Sequence, residues 1–109
     1  MPDIVLVLTT VSDSNNDRAD SIARALIEDH LAACVNVHAP MTSFYRWKGA
    51  VERDPERQVV IKTTRERLPA LEARLKELHS YELPEFLVMA IDGGSAEYMK
   101  WVDDVTRSG

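Results

Sequence analysis

Cysteine is nearly absent from this 109-residue chain: Cys34 stands alone, so no internal disulfide can form. A lone thiol in a soluble domain ordinarily packs as a small hydrophobe, which points to a reducing compartment and makes the cytoplasm the expected location. Long apolar runs are missing as well. Residues 4–8 supply an apolar run of only five at the N-terminal end, far short of a signal-peptide core or a bilayer span, so no membrane insertion is expected. Positive charge is in deficit, with thirteen Lys and Arg against eighteen Asp and Glu and a net charge of -5. That balance opposes nonspecific attraction to nucleic acid or anionic lipid. Glycine is scarce at four residues, and no Gly-rich loop is present to cradle a phosphate; Gly93-Gly94 reads as a strand-to-helix turn. No Ser-His-Asp set, HExxH motif or carboxylate pair in a cleft-forming context is found, and the chain is expected not to be an enzyme.

What is present reads as one domain over residues 1–109, long enough to bury roughly 65% of its unfolded surface. Residues 4–8 are apolar at every position, as in a central strand covered on both faces. Ser14 and Asp17 approximate a capping box for a helix running to about Leu31, with Ala19, Ile22, Ala23, Leu26 and His30 at helical spacing. Small and β-branched residues at 32–37 suit a second strand. After Pro40 an alternating arm follows, then a Lys48-Gly49 turn and a second arm, interrupted at Asp54-Pro55 and resuming at residues 58–63. Pro55 removes a ladder donor and should therefore lie on an edge or at a bulge where the hairpin bends.

Thr63 and Glu66 suggest a second capping box, and Pro69 requires its helix to begin near Glu66, with Leu68, Leu71, Leu75 and Leu78 on one face. A last apolar strand covers residues 86–91. Gly93-Gly94-Ser95 then ends it and caps a third helix whose Tyr98, Trp101, Val102 and Val105 share a face. The order predicts an α+β fold: a ferredoxin-like βαββαβ sandwich with a long hairpin between its second and third strands and an extra C-terminal helix.

Three segments carry a family resemblance: Leu31-Ala32-Ala33-Cys34-Val35-Asn36-Val37; Ser43-Phe44-Tyr45-Arg46-Trp47-Lys48-Gly49 with Ile61-Lys62-Thr63-Thr64; and Tyr81-Glu82-Leu83-Pro84-Glu85. Together they resemble the CutA family of divalent-cation tolerance proteins, over residues 5–106. The resemblance implies a ferredoxin-like subunit, a homotrimer built by strand pairing, and an association with tolerance of copper or other divalent cations. Open sheet edges, which must be paired or blunted, argue for assembly independently. The chain departs from the family pattern in two places: His79-Ser80-Tyr81 stands where His-Pro-Tyr is usual, and Asp54-Pro55 is unusual in the hairpin. Some members add a cysteine in the first strand and a second histidine beside the one matching His79; here those positions are Thr9 and Leu78.

His79 is the leading candidate metal ligand, with Glu82 and Glu85 close along the connector, because imidazole suits copper and zinc. The other reading of His79 is a helix-terminal residue complementing the dipole. Tyr45 and Trp47 share one side of the hairpin and either anchor a neighbouring subunit or stack on a ligand. Glu52, Glu56, Lys62, Tyr81 and Glu82 are polar residues expected at an intersubunit cleft or interface, where Lys62 pairing with a glutamate would register strands across subunits. Core packing is expected for Cys34. Two functions follow: a non-enzymatic trimer linked to divalent-metal tolerance or binding, with copper or another divalent cation as the only expected cofactor; or a signalling scaffold akin to PII-type regulators, holding a small ligand or an unidentified protein partner at its clefts.

Overall fold

The computed structural model describes residues 2–14 and 17–107. Its elements are β1 (Ile4–Ser12), α1 (Arg18–Glu28), β2 (Cys34–Val37), β3 (Met41–Trp47), β4 (Ala50–Thr64), α2 (Leu68–Leu78), β5 (Leu87–Ala90) and α3 (Ala96–Thr106), with a 3-10 turn at Arg65–Arg67 leading into α2. The strands form one antiparallel sheet in the order β2-β4-β1-β5, and β3 pairs with the outer half of β4. With β2 and β3 counted as two halves of one bent strand, this is the ferredoxin-like plan. Among the described residues no helix is long and apolar enough to cross a membrane.

Alternation along the strands builds the core. Val5, Val7, Thr9 and Val11 on β1 and Val59, Ile61 and Thr63 on β4 face the helices and are buried, and Ile22, Leu26, Leu71 and Leu75 from α1 and α2 close over them. A smaller cluster of Ile4, Met99 and Val102 seats α3. The opposite sheet face carries no helix beyond its Ile4 end, where α3 sits. Leu6, Leu8 and Val60 are half-buried there, and Leu87 and Met89 on β5 are exposed. The expectation of a first strand buried on both faces therefore holds on one face only.

Several local expectations are corrected. The capping box proposed for α1 spans residues 15–16, which lie outside the described residues. At its far end Asp17 is the N-cap in a left-handed conformation, φ 63°, with no side-chain cap bond. The helix stops at Glu28 rather than Leu31, because His30 adopts φ 58° and closes a Schellman motif: Leu31 N–H donates to Leu26 C=O at 2.9 Å and His30 N–H to Ile27 C=O at 3.1 Å. His30 thus leaves the buried helical face. Thr63 caps no helix; it sits in β4 and donates its hydroxyl to Leu31 C=O at 2.7 Å. On α3 the buried face is Met99, Val102 and Thr106, leaving Tyr98 and Trp101 exposed against each other.

β4 runs unbroken through Asp54-Pro55, so the expected interruption is absent. Pro55 sits opposite Thr42 in continuous register, and its carbonyl accepts from Asp13 N–H at 3.1 Å. A strand residue's N–H and C=O point the same way, so the missing donor of Pro55 faces the side where β1 ends, not the β3 ladder. The bulge lies elsewhere. Val37 pairs with Val59 while Met41 pairs with Glu56, leaving residues 38–40 opposite only Arg57 and Gln58. One extra residue there separates β2 from β3 and redirects the hairpin. The hairpin closes on Lys48 (φ 50°) and Gly49 (φ 82°), the two positive values of a type I′ turn.

Candidate functional site

Between the hairpin and the connector at residues 80–85 lies a groove of about 800 Å³, floored by Thr10 of β1 and by Glu56 and Gln58 of β4. The register explains its hairpin wall. Met41, Ser43, Tyr45 and Trp47 share one face with their partners Glu56, Asp54, Glu52 and Ala50, and that face continues the uncovered side of the sheet. Tyr45 donates its hydroxyl to Asp54, and that hydrogen bond, reinforced by the charges of Asp54, Glu52 and Glu56, pushes its pKa up to about 12. The Tyr45 phenol therefore stays a protonated donor at neutral pH.

The connector wall is fixed by His79, which ends α2 and is buried. Its Nε2 lies 2.7 Å from Thr10 C=O, and its Nδ1 accepts from Tyr81 N–H at 3.1 Å. A carbonyl only accepts and an amide N–H only donates, so this pair selects the neutral Nε2–H tautomer. Burial lowers the pKa of His79, and the nearby Arg18 charge adds to that, against the raising effect of the Thr10 carbonyl and of Glu56. Held in this way, the connector turns Tyr81 back over the sheet, where its hydroxyl donates to Glu56 Oε2 at 2.5 Å. Burial, and then this bond to a carboxylate, raises the Tyr81 pKa.

Of the residues singled out from sequence, Tyr45, Trp47, Glu56, Tyr81 and Glu82 all line this one groove. Lys62 does not. It lies six residues from Glu56 along β4, about 20 Å at 3.3 Å per residue, opposite Leu6 and Cys34, and among the described residues it makes no ion pair. The expected Lys62–glutamate pair is thus not made within one chain. Gln58 was missed, and Glu85 was read only as a neighbour of His79 along the connector: Gln58 Nε2 donates to Thr9 C=O at 2.7 Å and to Glu85 Oε2 at 3.3 Å, tying the connector's far end to β4. The i, i+2 series Glu52, Asp54, Glu56, Gln58 marked this face in the sequence, but only if the strand is taken to run through Pro55.

Copper held by His79 and Glu82 does not fit this arrangement. Both imidazole nitrogens are committed to backbone groups, and Glu82 is an exposed side chain whose carboxylate lies 3.8 Å from Lys48 Nζ. Among the described residues no group of three or more His, Cys, Asp or Glu is placed to hold a metal ion. Cys34 is half-buried on the uncovered sheet face, not in the main core.

Residues 5–105 match the family model of the CutA1 divalent ion tolerance protein. The chain is 43% identical over 101 residues to the divalent-cation tolerance protein CutA of Thermus thermophilus, covering 93% of this chain and 96% of that protein. The solved divalent cation tolerance protein of Thermus thermophilus superposes with a TM-score of 0.90 at 41% identity, covering 95% and 99% of the two chains. A chloroplastic CutA of Arabidopsis thaliana is 33% identical over 108 residues; the match takes in 99% of this chain but only 58% of that longer protein.

Proposed function

Because this chain belongs to the CutA1 divalent ion tolerance family, we propose that it serves divalent-metal tolerance as a non-enzymatic homotrimer that works by holding a ligand or partner in the hairpin–connector groove, not by lodging copper on His79. The observation that carries this reading is the convergence of Tyr45, Trp47, Glu56, Tyr81 and Glu82 on one groove of about 800 Å³, within the size range of small-molecule sites. Assembly is supported by the uncovered sheet face and by β5, whose outer side pairs with no strand among the described residues and whose Leu87, Val88 and Met89 are exposed. Such edges and apolar faces are normally paired or covered. Phe44 and Val51 near the hairpin tip, each 68% exposed, extend the surface that subunits would share. The cytoplasm is the proposed location, supported by the single cysteine.

Two experiments test this. Sedimentation of the purified chain at micromolar concentration should give a trimer; a monomer there would remove the assembly half of the proposal. In cells made copper-sensitive by loss of the protein, the wild-type chain should restore growth. A Ser43→Trp variant, which fills the groove, should fail to do so while still sedimenting as a trimer. Full restoration by that variant would show that the groove is not the working surface.

A further inference from the structure

The groove has a charge problem that the chain does not solve by itself. Glu56 is only 6% exposed, and its sole side-chain partner among the described residues is the Tyr81 hydroxyl. Among the described residues no Lys, Arg or His nitrogen lies within 4.0 Å of its carboxylate. Buried carboxylates are ordinarily matched by a cation, because a neutral donor returns only part of the lost hydration. Glu82 and Glu85 add two more carboxylates to the same lining, against the guanidinium of Arg46 within it and the Lys48 ammonium that reaches Glu82 at its mouth. Tyr45 and Trp47 on the hairpin wall and Tyr81 on the connector wall add aromatic rings to a lining that also holds Met41, Leu83 and Pro84. Carboxylate at the base and ring faces at the sides is the chemistry that recognises an alkylammonium ion.

The mouth of the groove already shows this chemistry. Lys48 Nζ lies 5.5 Å from the centroid of the Trp47 ring and 3.8 Å from the Glu82 carboxylate, an ammonium held between a ring and an acid. We propose that the groove is a receptor for a small organic cation of the alkylammonium class, its charged head on Glu56 and its aliphatic part against the rings of Tyr45 and Trp47. The proposal rests on reading the groove as the working surface. It adds what the groove selects: cationic over neutral or anionic ligands, through one buried carboxylate oriented by the Tyr81 hydroxyl.

Trp47 supplies the readout. In a Trp101→Phe background the remaining indole emission comes from the groove, and the full-length protein is titrated in 0.15 M NaCl with n-butylammonium, with n-butanol as the uncharged control. Saturable quenching by the amine and none by the alcohol is the expected result. Glu56→Gln, which keeps the shape and hydrogen-bonding capacity, should weaken amine binding at least tenfold, and Tyr81→Phe should weaken it by a smaller factor. The absence of saturation in the wild-type protein, or equal affinity in Glu56→Gln, overturns the proposal. So does binding that appears only in Lys62→Ala, since the carboxylate would then be neutralised by a lysine from a second copy. Urea unfolding of Glu56→Gln confirms that it folds, and Tyr81→Phe provides a second reading if it does not. Loss of copper tolerance in Ser43→Trp with no amine binding to the wild type would overturn the ligand class alone and leave the groove reading in place.

Discussion

Replacing His79 tests the connector, because its ring makes two bonds of opposite sense to fixed backbone groups. His79→Ala removes the donor to Thr10 C=O and the acceptor for Tyr81 N–H. At about 1 kcal/mol for each lost bond, and more for a partner left unsatisfied in a partly buried setting, the loss should be about 2–4 kcal/mol. His79→Gln retains a donor for the Thr10 carbonyl and should recover about 1 kcal/mol of that. The same geometry fixes a pH dependence. The folded-state pKa lies below the ordinary 6.5, chiefly through burial, so between the two values the unfolded chain binds a proton that the folded chain does not. Stability is therefore fully present above pH 6.5 and falls as the pH drops below it, by at most about 1.4 kcal/mol per pH unit. Urea unfolding at pH 7.5 and 5.5, at one fixed protein concentration so that assembly contributes equally, should show the wild type losing more stability on acidification than His79→Gln. Equal losses in the two proteins would mean that the imidazole is not held neutral, and the account of the connector would fail.

Four further outcomes follow from particular contacts. Anaerobic calorimetry with copper should give the same heat for the wild type and His79→Ala, whereas a loss of heat in the variant would place copper on that ring after all. Thr9 is fully buried with an unpartnered hydroxyl, so the near-isosteric Thr9→Val should be neutral or stabilising by up to about 1 kcal/mol in urea unfolding. Gly49→Ala should cost about 1 kcal/mol through φ 82° alone, since no atom beyond its two chain neighbours lies within 4 Å of the added Cβ; a neutral result would indicate that the turn relaxes. Leu71→Ala, at a completely buried position between α2 and the sheet, should cost about 2–5 kcal/mol in the same assay.

The fold was legible because its determinants are local and periodic. The alternating hairpin arm that became β3, the leucine spacing of α2, the Gly93-Gly94-Ser95 cap of α3 and the Lys48-Gly49 turn each work within a few residues, and each is where the sequence placed it. The misses share a different cause. Thr63 looks like a cap, but a tertiary acceptor, Leu31 C=O, takes its hydroxyl. Pro55 looks like a strand break, but a proline whose absent N–H faces a finished edge costs the ladder nothing. The bulge at residues 38–40 depends on a count across two strands, which no single segment records. Tyr98 and Trp101 have helical spacing, yet the α3 interface with Ile4 turns on Met99 and Val102 instead. Of the groove's lining, Tyr45, Trp47, Glu56, Tyr81 and Glu82 were singled out from the sequence together with the distant Lys62, and the wiring between them was not readable there.

That wiring changes what the connector residues mean. Read along the chain, a histidine followed closely by glutamates looks like a ligand set, since nothing in the sequence says where each side chain points. In the fold, the two-residue spacing from His79 to Tyr81 lets the imidazole accept from the Tyr81 amide, and this in turn aims the phenol at Glu56, twenty-five residues earlier on β4. Neutral His79 is then a positioning residue, holding the far wall of the groove against β1. A protonated ring would present an N–H to the Tyr81 N–H and break that hold. The hairpin wall therefore depends on the bulge at residues 38–40, the connector wall on one imidazole tautomer, and the groove between them exists only while both conditions are met.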